Sequence, residues 1–575
     1  MPPRGRGFYL NLLRPRKGGI YARLCRSHWD QGKVRTEVLV NFGRVTPQQA
    51  TALRGWVETN PLAPGPAGKD ALLLQLRDLR CTRTWRYGRE ALAHFLWWKL
   101  GLHQIVLETL NGVPGKARCG RWIETLVVNR LADPTSKYGI LHWLEDSATP
   151  FLLGFGVMKR HENAMYRAMD RLWVRQEALE RRVWERVVRP LSEEKEVFLH
   201  DLSSSYYEGR VGGLVQYGYH RDRVEGCPQV NFGMVVTPDR LPITIMVYPG
   251  NPSDVSTVAG VRERLRRVFG LQRGIYVGDR GMRSPEVEQD LVAHGFRWIF
   301  AEKNGDVEAV LEAAAKRPPL SVGEKLVARE VTGEEGRRHV ALFNEARREE
   351  VLATLERRLA QGQSILERIR RGWAKNPKRP PHAVMKQAIL ELAEKGLTGL
   401  FDIDVDEDSI RVLLARTKEK VCRLRRWAGW WVLTTNTELP VEEVIRLYLS
   451  LSTIERDWRE LKSALEVRPL RHQLDRRIGA HLVICELALL LEKYVEKMVR
   501  AEGLTEEGVP LTGARAVEKF RSLVVNRQEL PGAGVQFHQA TEPDGEQAAI
   551  LRAVGLKLEQ FRRGWTRIDP AGMAP

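Results

Sequence analysis

Tyr448 to His472 reads YLSLSTIERDWRELKSALEVRPLRH, a helical run in which one carboxylate, Glu455, stands among cations. At about 100° per residue, Tyr448, Glu455, Arg459 and Lys462 are expected to project from one side of that helix. A face with one acid among bases suits a divalent metal beside a phosphodiester. The carboxylate holds the ion while Arg and Lys neutralise the flanking phosphates. The same spacing also describes a surface helix laced with i,i+4 ion pairs, so the rest of the chain has to decide between the two.

Upstream, Val197 to Asp201 (VFLHD) and Gly274 to Asp279 (GIYVGD) are apolar runs of strand length, each closed by an Asp. Both are too short for an ordinary helix and rich in β-branched or aromatic residues, which places Asp201 and Asp279 at strand ends. Two Asp on neighbouring strand ends and one Glu on a helix form the set that two-metal phosphodiester chemistry requires. Several carboxylates must converge to hold two Mg²⁺ ions about 4 Å apart.

Four segments carry a resemblance: DLSSSYYEG from Asp201, GYHRDRVEGCPQVNFGMVVTPDRLPITIMVYPGNPSD from Gly218, VGDRGM around Asp279, and IERDWRELKSALEVRPLRH. Together they resemble the DDE transposases of bacterial insertion sequences, in the branch with the signature Y-x2-R-x3-E-x6-K. That signature maps onto Tyr448, Leu451, Glu455 and Lys462. Leu451 stands where the signature has Arg, and Arg446, Arg456 and Arg459 are the nearby cations that could take its place. The similarity runs from about Phe198 to Leu490.

The resemblance implies an RNase H-like catalytic core interrupted by an insertion domain, with Asp201, Asp279 and Glu455 as both catalytic residues and metal ligands. It implies two Mg²⁺ ions, with Mn²⁺ as a substitute, and double-stranded DNA, as element ends and target, for a partner. Tyr448, Arg456, Arg459, Lys462, Arg280, Arg468 and Arg471 are the implied DNA contacts. Trp373, Trp427 and Trp430 are candidates to stack a flipped base. Cutting two ends together implies a homodimer on paired DNA ends. The implied activity is cleavage at the ends of the element and attack of the freed 3′-OH on target DNA.

The composition agrees with a polyanionic partner: 91 Lys and Arg against 72 Asp and Glu give a formal charge of +19 in 575 residues and a pI near 9.7. No apolar span of membrane length and no signal peptide are read, so the expected place of action is the bacterial cytoplasm, in association with the nucleoid. Six Cys without any Cys-x-x-Cys pair suggest neither a zinc site nor a disulfide framework. Without a Walker loop, no nucleotide cofactor is expected. The Asp-x-Asp-x-Asp run at Asp402 lacks the Gly and the closing Glu of a calcium loop. His200 sits next to Asp201, but strand alternation sends it to the other face, which gives it a structural role.

Taken in order, the expected architecture is α/β and multidomain. Residues 1–68 form a basic β unit, with nine Lys or Arg against one acid in the first 36 residues and a Pro/Gly linker at 61–68. This unit is either a solvated charged sheet or a phosphate-binding element. Residues 69–195 carry helical periodicity and form either a DNA-end-binding domain or a scaffold. The catalytic domain occupies 196–302 and 430–500, around an insertion at 303–429. Its order, three antiparallel strands and then alternating helix and parallel strand, is that of the RNase H-like fold. A tail follows from 501 to 575. Two other functions are compatible with the pattern: another RNase H-like nuclease, or a DNA-binding repressor derived from a transposase.

Overall fold

The structure is a computed structural model of the chain. It describes residues 8–561 except 15–18, 31–32, 60–79, 155–161, 210, 219–225, 252, 303–306, 323–324, 334–336, 377, 406–409, 413, 464, 466–469, 531–534 and 559–560. The linker expected at 61–68 and Arg468 therefore lie outside the described residues. Two units are formed, one from residues 1–253, 263–271 and 453–575 and the other from 254–262 and 272–452.

The first unit begins with an antiparallel sheet of Phe8–Leu13, Ile20–Asp30 and Lys33–Val45. Ala22, Leu24 and Phe42 point to one face, where Ala50 and Leu53 of the Pro47–Thr59 helix cover them. Alternation at period two supplies that apolar face. Helices Gly88–Lys99, Lys116–Ala132 and Glu162–Trp173 then gather around Asp475–Ala501. This 27-residue helix is buried over most of its circumference, which matches its apolar stretch HLVICELALLLEKYV. The C-terminal stretch folds back: Val524–Leu530 pairs with Arg80–Arg86 on one edge and with Val535–Ala540 on the other.

Also in this unit, Val197–Tyr206, Gln229–Val236 and Pro242–Tyr248 form three antiparallel strands, with Asp201 opposite Met234. All eight residues of Gln229–Val236 are buried, as expected of a continuous apolar run with both faces covered. Asp201 is the fifth of ten residues in its strand. The expectation that it ends a strand is corrected here. The serines that follow it, Ser203 to Ser205, carry little strand propensity of their own but are held in register opposite Phe232, Asn231 and Val230.

In the second unit, Gly274–Val277 runs parallel to Phe296–Ala301, joined by a helix, Pro285–Ala293, whose start is fixed by Ser284 as N-cap and Pro285 at the first position. Trp430–Thr435, Arg338–Phe343, Val327–Thr332 and Leu320–Ser321 extend this sheet antiparallel, one after another. The stretch expected as an insertion thus contributes strands to the sheet before it departs as helices. Glu345–Lys375, capped by Asn344, pairs with Pro381–Glu394 around a separate apolar core of Leu359, Leu366, Ile369, Trp373, Val384 and Leu392. Among the described residues, no helix is long and apolar enough to cross a membrane.

Gly479 lies where the buried Asp475–Ala501 helix meets the indole of Trp173, and a Cβ there would collide with that ring. Gly479→Ala gains up to about 1 kcal/mol of helix propensity, but overpacking costs roughly 1–3 kcal/mol. The net expectation is a lower midpoint in urea unfolding.

Candidate active site

Glu455 belongs to the helix Leu451–Ser463, in which Ile454, Asp457, Trp458 and Leu461 are buried while Glu455, Arg456 and Arg459 are exposed. The preceding helix, Val441–Leu449, ends before Ser450. Tyr448 and Glu455 are therefore on different helices, and the single continuous face expected from the sequence does not form. Lys462 is also buried, at 8% exposure, because it falls on the side of the helix that packs inward. Of the proposed set, Glu455 and Arg459 share the outward side, together with Arg456. Leu451 is buried, and Arg446 is paired with Glu443.

The inward side of the same turn makes two contacts. Trp458 donates its indole N–H to Asp201 Oδ2 at 2.9 Å, and its ring packs edge-on against Phe232 at 5.2 Å. The turn that carries Glu455 is thereby tied to the strand that carries Asp201, 257 positions away from Trp458. Asp457, fully buried, accepts from Arg240 Nε at 3.2 Å and Nη2, and lies 2.9 Å from Lys493 Nζ. Arg240 comes from the turn between Gln229–Val236 and Pro242–Tyr248. It holds a left-handed backbone, φ 66°, that a non-glycine residue adopts only under constraint.

Three carboxylates, Glu460, Glu492 and Glu496, come within 4.8 Å of one another and would suit a metal by spacing alone. They are already committed. Lys493 Nζ lies 3.2 Å from Glu492 and 3.4 Å from Glu496 and also bonds Glu460, while Arg240 reaches Glu496 at 2.6 Å. Arg500 also pairs with Glu496. Burial, together with the neighbouring Glu460, pushes the Glu492 carboxyl up to about 8 against the pull of Lys493. The Lys493 ammonium moves opposite to what burial alone dictates, held above its usual value by Glu492, Asp457 and Glu460. With Glu492 protonated, three carboxylates (Asp457, Glu460, Glu496) face three cations (Arg240, Lys493, Arg500), so this is a neutralised structural network.

In the second unit, Asp279 follows the strand Gly274–Val277 and caps the turn Arg280–Met282, its Oδ1 accepting from Gly281 N at 2.7 Å and Met282 N at 3.3 Å. A second carboxylate lies on this turn: a Cβ on Gly281 would meet Asp254 Oδ2 at 2.8 Å and Asp279 Oδ1 at 3.1 Å. A larger residue there would press on both acids, most on Asp254. Arg280 is exposed beside them. Sequence reasoning missed Trp458, Asp457, Arg240 and Asp254. The aspartate of GNPSD and the Pro-Asp-Arg turn were visible, but nothing in them named a partner.

Among the remaining candidates, Arg471 is exposed and pairs with Glu208 at 3.0 Å. Trp373 is buried in the helical core and donates to Arg379 O. Trp427 is half-buried under the Arg426 guanidinium. Trp430 is half-buried between Phe343 and Arg329. His200 is fully buried.

Compared with known proteins, residues 194–491 match the family described as Transposase DDE domain. A cryo-EM structure of the piggyBac transposase synaptic complex with hairpin DNA is similar over 84% of this chain and 85% of that chain, with 9% identity and a TM-score of 0.36. No curated protein matches.

Two outcomes follow from the buried network. Arg240→Met leaves Asp457 and Glu496 short of a cation and is expected to cost roughly 3–5 kcal/mol in chemical denaturation. For Glu492, the unfolded chain releases its proton near the ordinary value of 4.5, whereas the folded chain keeps it until about 8. The folded state binds more protons across that window, so this group makes stability fall as pH rises through it. Glu492→Gln should flatten that fall in urea midpoints compared between pH 5 and 8.5; an unchanged slope would count against a protonated Glu492.

Proposed function

The chain belongs to the transposase DDE domain family, and from that premise we propose that it binds the ends of a mobile DNA element, cleaves phosphodiester bonds there and joins the freed 3′-OH ends to target DNA. Asp201, Asp279 and Glu455 form the acidic set that holds two Mg²⁺ or Mn²⁺ ions. Their donor chemistry fits: all three offer hard carboxylate oxygens, and none belongs to the group neutralised by Lys493 and Arg240. When bound, such a pair of ions activates the attacking oxygen and stabilises the leaving one in an in-line displacement.

The chain's own residues supply position and charge. Trp458 orients Asp201, and the amides of Gly281 and Met282 orient Asp279. Arg456 and Arg459, exposed within the turn that follows Glu455, neutralise phosphates next to the cut. Arg280 and Arg471 extend the backbone contact, and the formal charge of +19 favours duplex DNA throughout. Cutting two ends in one event calls for a homodimer on paired ends, acting in the bacterial cytoplasm on nucleoid DNA. The observation that supports this reading most is the Trp458–Asp201 hydrogen bond, which joins two distant parts of the matched stretch, the strand that carries Asp201 and the helix that carries Glu455.

The test uses double-stranded DNA carrying the terminal repeats that flank the coding region. Asp201→Asn, Asp279→Asn and Glu455→Gln should each abolish Mg²⁺-dependent cleavage while leaving gel-shift affinity near wild type. Persistent cleavage by any of the three removes that residue from the set and overturns the assignment.

A further inference from the structure

We propose that Trp458 is a positioning residue that sets the metal affinity of Asp201; this rests on the reading of Asp201 as a metal ligand. Three observations carry it. The indole N–H reaches Asp201 Oδ2 at 2.9 Å. The donor itself cannot swing away, since Trp458 is 4% exposed and its ring is seated on Phe232, which is fully buried. The helix below it is fixed as well, because the adjacent Asp457 is held by Arg240 and Lys493.

The chemical character of the donor matters as much as its place. An indole N–H donates one hydrogen bond and carries no charge. It fixes one carboxylate oxygen without bringing a positive charge of its own. A Lys or Arg at that place would neutralise Asp201 and compete with the ion, as Lys493 does at Glu460, Glu492 and Glu496. Trp458 also lies one helical turn from Glu455, so a single element carries one acid and orients another. Hydrogen-bond partners behind a metal ligand commonly set affinity within a factor of about 10–100.

The experiment titrates Mn²⁺ into the full-length protein without DNA, by calorimetry and by the loss of free Mn²⁺ signal in electron paramagnetic resonance. Trp458→Phe keeps the aromatic contact with Phe232 and removes the donor; Mn²⁺ affinity should fall by about 10- to 100-fold, with DNA affinity unchanged and cleavage recovered at raised Mn²⁺. Should Trp458→Phe unfold, replacing Trp458 with 3-benzothienylalanine, the same shape without the N–H, decides the question with the same expected loss. Wild-type Mn²⁺ affinity in a folded donor-less variant overturns the proposal, including when its thermal midpoint has dropped. Asp201→Asn separates the two levels. If it loses Mn²⁺ while the Trp458 variants do not, only the role of Trp458 falls. If it binds Mn²⁺ as the wild type does, Asp201 is no ligand and both fall.

Discussion

The burial of Asp457 is the constraint on which the candidate site depends. A carboxylate with no exposure is costly to desolvate, so the helix Leu451–Ser463 can rest against the unit only where cations meet it. Those cations come from two places, Lys493 on the long buried helix and Arg240 on a strand turn. Arg240 accepts a left-handed backbone to get there. Ion networks of this kind contribute little net stability compared with apolar packing, but they penalise a wrong register heavily, because a slip strands a charge in the interior. The network therefore fixes the rotation of the helix, and rotation decides which residues of ERDW face inward. With Asp457 locked inside, Trp458 is turned to Asp201 and Glu455 is left outside.

Burial and partnership, not acidity, divide the carboxylates of this region into two kinds. Glu460, Glu492 and Glu496 cluster tightly enough to resemble a metal centre, yet an ammonium occupies their midst. Asp201 accepts the indole N–H of Trp458, and Asp279 accepts two backbone amides. Neutral donors orient an acid without cancelling its charge. The Lys493 ammonium makes the Glu460–Glu492–Glu496 cluster, compact as it is, a poor place for a divalent ion.

Much of this was legible in the sequence, and the failures have physical causes. The GIYVGD run is apolar and β-branched enough to announce its strand and the turn after it, because local propensity and tertiary role agree there. VFLHDLSSSY misleads because three serines suppress strand propensity, and only pairing with Gln229–Val236 carries the strand past Asp201. Helical periodicity was read across Tyr448 to His472, of which Leu451–Ser463 is one helix, but could not tell which side was core. With Asp457 and Lys462 buried, the inward face is partly charged, and a reading based on hydrophobic pattern takes charge for solvent. Trp458 was hidden for the opposite reason: a Trp in a helical pattern reads as core, and its polar N–H is invisible until a strand from far along the chain supplies an acceptor.

The placement of the excursion between the strands Phe296–Ala301 and Trp430–Thr435 follows from the same economy. These strands are antiparallel neighbours in the sheet, with Leu433 opposite Ala301, so the chain leaves and returns at adjacent points. Loop-closure entropy rises only slowly with the length enclosed, and the stretch between makes its own core around Leu366, Trp373 and Leu392. A long excursion at this point can thus vary in size without changing the register of the strand that precedes the Glu455 helix. The link between the Asp201 strand and the Glu455 helix and the bulk of the intervening segment are separable properties, since the former depends on Trp458, Arg240, Asp457 and Lys493, none of which lies in the excursion.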